Sequence, residues 1–166
     1  MTQLHGLECS SLFLDGVRVF QPTLQANRTL RELSLPSCWM GDEAIRLIAD
    51  ALVGNGIMEG FDISQNDITS VGLADITRLL AATRLKWINL SFNEMFDEIN
   101  VTHRFFLALS RHEFLKELVL EKCRLGDEGI HHIAGHLAEN AIMEVLIICY
   151  NSITAAGLAD IIRMIE

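Results

Sequence analysis

The sequence predicts an α/β solenoid built from stacked strand–turn–helix–turn units. Three observations predict it. One set of apolar offsets returns five times along the chain. The hydrophobic spacing inside a copy switches from alternation to a helical period. A unit of about 28 residues cannot bury its apolar face alone, so the copies must stack.

Residues 1–29 read as a degenerate first copy. Leu4, Leu7, Cys9 and Leu14 keep the apolar offsets, but Leu12 stands where later copies carry Cys or Asn, and the next anchor, Leu30, arrives early. Pro22 falls where the other copies run helical. Terminal repeats are often irregular because they cap the stack.

Regular copies fill residues 30–166, and the whole chain, 1–166, is expected to be one domain. From Leu30, apolar residues follow at Leu33 and Leu35, then Cys38 and Met40. The same offsets recur from Met58 (Phe61, Ile63, Asn66, Ile68), Leu85 (Ile88, Leu90, Asn93, Met95), Leu115 (Leu118, Leu120, Cys123, Leu125) and Met143 (Leu146, Ile148, Asn151, Ile153). The spacing between these anchors is nearly constant, the step from Leu85 to Leu115 being the longest. The alternating part of each copy is a short strand. In the helical part, Ile45, Ile48, Ala49 and Leu52 share one face, as do Leu73, Ile76 and Leu80, and then Ile130, Ile133, Ala134 and Leu137. The last helix carries Leu158, Ile161, Ile162 and Ile165. Asn27, Asn55 and Asn140 each stand three residues before an anchor, where a C-terminal helix cap is expected.

The pattern L-x-x-L-x-L-x-x-[CN]-x-[LIM] followed by a long helix resembles the leucine-rich repeats of the ribonuclease-inhibitor type. The resemblance implies a right-handed horseshoe arc, with a parallel sheet on the concave side and helices on the convex side. It also implies protein recognition without naming the partner, because the family spans inhibitors, innate-immune sensors, GTPase activators and pathogen effectors.

Composition narrows the function classes. A net charge of −9 disfavours a nucleic-acid backbone or an anionic membrane as partner. No apolar stretch reaches the 18 or so residues needed to span a bilayer. The four cysteines form no close-set pairs, so free thiols in a reducing compartment are expected, and with them a cytoplasmic location or a secreted effector acting in a host cytoplasm.

Most conspicuous residues have structural explanations. Cys38, Asn66, Asn93, Cys123 and Asn151 share one repeat position, where a buried turn needs its backbone groups satisfied. Cys9 falls on a core-facing strand position. Asp42–Glu43 and Asp127–Glu128 begin helices, where a carboxylate meets free N–H groups and the dipole. Glu128, His132 and His136 lie at i, i+4 and i+8, the one metal-like cluster. Their stripe falls on the flank or outside of the solenoid, so a solvated or partner-facing role is expected and zinc is not expected to raise the melting temperature. No nucleophile, phosphate loop or cofactor motif is present, and no catalysis is expected.

The concave face remains. Residues two, four, six and seven after each anchor alternate with the core or follow it. They are small, polar and acidic at one end (Gly6, Glu8, Glu32, Ser34, Asp62). At the other end they become Trp87, Asn89, Ser91 and Phe92, and after Glu117, Val119, Glu121 and Lys122 come Val145, Ile147, Cys149 and Tyr150. Eight of them, Trp87, Asn89, Phe92, Val119, Val145, Ile147, Cys149 and Tyr150, are the candidate contact residues for a protein partner. Alternatively, two copies of the chain pair through the terminal strand and helix, or a further repeat covers that end. The expected function is a non-catalytic protein-interaction module. The rivals are a regulator of an enzyme (an inhibitor or GTPase activator) and the ligand-sensing repeats of a larger signalling receptor or effector.

Overall fold

The structure, a computed structural model, describes residues 4–166. Strands and helices alternate along it: β1 (Gly6–Glu8), α1 (Phe13–Ala26), β2 (Glu32–Ser34), α2 (Gly41–Leu52), β3 (Gly60–Asp62), α3 (Ser70–Ala82), β4 (Trp87–Asn89), α4 (Ile99–Ser110), β5 (Glu117–Val119), α5 (Gly126–Leu137), β6 (Val145–Ile147) and α6 (Ala155–Ile165). The strands form one parallel sheet in sequential order, β1 to β6. Leu7, Leu33, Phe61, Ile88, Leu118 and Leu146 pair across it in register. Each stands three residues after its anchor, so the repeat alignment is the sheet register. The α/β solenoid is the fold, and the first copy contributes a strand like the others.

The core lies between sheet and helices. Anchors Leu30, Met58, Leu85 and Leu115 are buried, as are the helix residues Ile45, Ile48, Leu73, Ile76, Ile130 and Ile133. It thins at the last unit, where Met143, Leu146, Ile148 and Ile153 are only partly covered.

Behind each strand the chain must turn sharply, and the shared Cys or Asn position holds that turn. Asn93 Oδ1 accepts the N–H groups of Asn66 (2.9 Å) and Ile68 (3.1 Å) in the preceding unit, while its Nδ2 donates to the carbonyls of Ile63, Leu90 and Ser91. Asn66 and Asn151 repeat the arrangement toward the Cys38 and Cys123 turns. The cysteines supply only the donor half: Cys38 Sγ donates to the carbonyls of Cys9 and Pro36, and Cys123 Sγ to those of Leu90 and Glu121. Burial pushes the Cys123 thiol up to about 12 and raises that of Cys38, which keeps both thiols protonated as donors. Held this way, the backbone adopts positive φ on either side of the buried position, as at Gln65 and Asp67 (both 55°) and at Lys122 (53°) and Arg124 (61°).

Four features go beyond the sequence reading. Helix α1 runs through Pro22 instead of breaking there; a proline removes one donor but leaves the remaining helix bonds available. Asn27 is a helix cap, but α2 and α5 end at Leu52 and Leu137, short of Asn55 and Asn140. What these asparagines share is that Oδ1 accepts the two N–H groups leading to the next anchor, Met58 for Asn55 and Met143 for Asn140. His112 takes that place before Leu115, accepting the same pair through Nδ1. Asp42 and Asp127 stand in the first turns of α2 and α5, and their side chains serve a further helix as well. Each reaches the start of the following helix: Asp42 accepts from Thr69 N, Thr69 Oγ1 and Gly72 N, and Asp127 from Thr154 N, Thr154 Oγ1 and Gly157 N. A Cβ at Gly72 or Gly157 would fall 2.5 Å from the carboxylate, so the glycine makes room for the cap. The Thr154 hydroxyl bond holds the Asp127 carboxyl below the usual carboxylate range.

The fourth is α4. It starts at Ile99, further beyond its anchor Leu85 than any other helix lies from its own. The added residues form the turn carrying Phe96. Phe96, Phe105 and Phe106 then pack as a cluster with ring centroids 5.2–5.6 Å apart.

Candidate functional site

The strands are short, and this decides what faces the curve. Residues two after the anchors form one row across the sheet: Gly6, Glu32, Gly60, Trp87, Glu117, Val145. Residues four after form a second: Glu8, Ser34, Asp62, Asn89, Val119, Ile147. Both rows pass from polar or acidic to largely apolar, with Glu117 interrupting the first.

Trp87 does not stand free in the curve. Its indole lies back over Gly60, whose missing Cβ would sit 2.2 Å from the ring. A half-buried platform results, rather than a projecting anchor. Asn89 is tied down as well: its Nδ2 donates to Asp62 Oδ2 (3.1 Å) and its Oδ1 accepts from Ser91 N (3.1 Å). Val119 and Ile147 are partly buried neighbours, and Val145 is exposed.

Phe92 and Tyr150 lie outside the strands. Both have positive φ (59° and 56°) in the turns that follow β4 and β6, so they project along the edge of the sheet. Phe92 is 44% exposed and Tyr150 80%. The Lys122 ammonium lies 5.6 Å from the Phe92 ring centroid, within reach of a cation–π contact. Phe92, Lys122, Arg124 and Tyr150 line one shallow groove together with Asp67 and Glu94. Cys149 is an exposed free thiol whose carbonyl accepts from Lys122 N (2.9 Å). Ser91, six residues after its anchor, turns out to be buried. The structure thus divides the eight candidate residues into a sheet platform and an aromatic edge.

The histidine stripe sits differently from its sequence reading. His132 and His136 pack toward α4, where His103 completes a cluster of three imidazoles; Glu128 is not part of it. His103 escaped sequence reasoning because both of its partners lie in the next unit, on a different helix. Burial, then the neighbouring His103, lower the pKa of both α5 histidines. Burial likewise lowers that of His112. Among the described residues no helix is long and apolar enough to cross a membrane.

Comparison with known proteins agrees with this register. A family model described as "Leucine Rich repeat" matches residues 26–49 and 111–134, each segment opening shortly before an anchor. Ribonuclease inhibitor from Sus scrofa is 26% identical over 162 residues, covering 96% of this chain. The chain spans about a third, 35%, of that relative's length. Among solved structures, the tropomodulin C-terminal domain of Caenorhabditis elegans is similar with a TM-score of 0.69 at 15% identity, over 90% of this chain and 91% of that one. A leiomodin-1 structure titled actin-binding site 2 gives 0.74 at 18% identity, over 87% and 84%. At those identities the likeness shows the fold alone. With the matched repeats falling on the anchors and a ribonuclease inhibitor aligned along nearly every residue, the chain carries leucine-rich repeats similar to those of the ribonuclease-inhibitor type.

Proposed function

We propose that the chain is a non-catalytic module that binds a protein partner on the concave face at its β4–β6 end. The contact residues are Trp87, Asn89, Val119, Val145 and Ile147 on the platform, with Phe92, Cys149 and Tyr150 at its edge. The observation that carries this is the change of character along one continuous sheet, from acidic strand residues to an apolar platform flanked by two exposed aromatic rings. Exposed aromatics beside a fixed apolar floor are the composition of interface hot spots.

The test compares the parent chain with a Phe92→Ser/Tyr150→Ser variant, and with Val19→Ser on α1 as a control. Ribonuclease and actin are the first purified probes, taken from the names of the relative and of the leiomodin structure; lysate capture follows. Removing two hot-spot rings is expected to weaken binding by at least about tenfold, while the control binds normally. A bound set indifferent to the double substitution would sink the reading. A ribonuclease captured this way would favour the enzyme-regulator form of the same proposal.

A second reading has its own observation. Strand β6 pairs only with β5 among the described residues, and beside it Leu158, Ile162 and Ile165 on α6 are 53%, 45% and 73% exposed. Two copies pairing through that strand and helix would cover the patch. Light scattering of the purified chain is then expected to give a dimer mass, and Val145→Glu with Ile147→Glu a monomer with unchanged circular dichroism. A monomeric parent chain removes this reading and leaves the first intact.

A further inference from the structure

We propose that His103, His132 and His136 form a divalent-metal site, for zinc foremost, that ties α4 to α5 on the side of the molecule opposite the sheet. His132 and His136 occupy successive turns of α5 and share one face. His103 comes from α4, in the unit before. One ring nitrogen of each lies within 4.8 Å of the others, and His136 Nε2 is 3.2 Å from His103 Nδ1. Imidazole nitrogens bound tetrahedrally to one zinc ion stand about 3.4 Å apart, so the widest separation has to close by roughly 1.4 Å, a side-chain adjustment.

The surroundings favour a ligand. Nε2 of His132 is buried and has no hydrogen-bond partner, an orphaned polar atom on one member of the cluster. His132 also lines a groove between α4 and α5 with Thr102, Phe96 and Glu128. Both α5 imidazoles are held toward the neutral form that metal binding requires. Three imidazoles suit zinc and the neighbouring late first-row ions, and leave a fourth position for water. Glu128, the acidic residue picked out by sequence spacing, lies in the groove rather than in the ligand set.

The experiment uses the untagged chain, stripped of metal by a chelator and titrated with zinc chloride in a calorimeter. One zinc ion per chain is expected, with a rise in melting temperature of roughly 5–10 °C at a hundredfold excess over Kd. His103→Ala and His136→Ala, both at partly or fully exposed positions, should keep the circular dichroism spectrum and weaken zinc binding at least tenfold. Cys149→Ser, which removes the exposed thiol, should bind as the parent does. Absence of both heat and thermal shift overturns the proposal. So does binding that survives His103→Ala, or that is lost with Cys149→Ser.

Discussion

Asn93→Ala is expected to lower the melting temperature by roughly 10–15 °C, corresponding to about 3–5 kcal/mol of stability. Two buried N–H groups, those of Asn66 and Ile68, lose their acceptor, and three carbonyls lose a donor. Each stranded buried group costs about 1–3 kcal/mol, and the turn is sealed from the solvent that could substitute. Asn93→Cys separates the two halves of the role. Cysteine already occupies the equivalent position in two units and donates to carbonyls without accepting from the neighbouring turn. It should therefore recover part of the loss. Equal melting points for the alanine and cysteine variants, or a loss under about 1 kcal/mol for alanine, would show that the amide is not what holds the turn.

Phe105→Ala should cost a similar amount, about 3–5 kcal/mol, for a different reason. The ring is fully buried and meets Phe96 and Phe106 edge-on. Its removal takes away both the transfer free energy and the packing of the enlarged fourth unit, where the neighbouring rings cannot both collapse inward. Phe105→Leu should restore most of the loss, because a branched aliphatic fills much of the same volume. Chemical denaturation followed by far-ultraviolet circular dichroism measures both. If the alanine variant unfolds within about 1 kcal/mol of the parent, the aromatic cluster is not the core of that unit.

How much was legible follows from how each residue is constrained. The positions three, five, eight and ten after each anchor meet the same surroundings in every unit, so they repeat in the sequence and the fold could be read from them. The buried face of α4 is also periodic, at Thr102, Phe105, Phe106 and Leu109, but it is displaced by the longer turn and includes a threonine, which hides it from an alignment on the other copies. Interactions between units were illegible for a different reason. Asp42 looks like a dipole partner for its own helix until Thr69, in the following unit, is seen beside it. His103 looks like an isolated surface histidine until α5 is laid next to α4. Within the candidate interface, alternation identified Val145 and Ile147 correctly as sheet residues. It could not show that Trp87 lies flat on Gly60, or that positive φ carries Phe92 and Tyr150 out of the strands.

Neighbouring strands in a sheet stand about 4.8 Å apart, whereas a helix advances about 5.4 Å per turn and an extended segment about 6.7 Å per two residues. A helix laid across β4, β5 and β6 therefore slips by about 0.6 Å per strand, and its side chains stay within about 1.2 Å of step over that span. An extended segment slips by about 1.9 Å per strand and is out of phase almost at once. Across all six strands even the helix drifts by about 3 Å, more than half a strand spacing. Under the binding mode proposed above, the two rows would act as a vernier, keeping one face of a helical partner in register over the width of the apolar platform and losing it beyond.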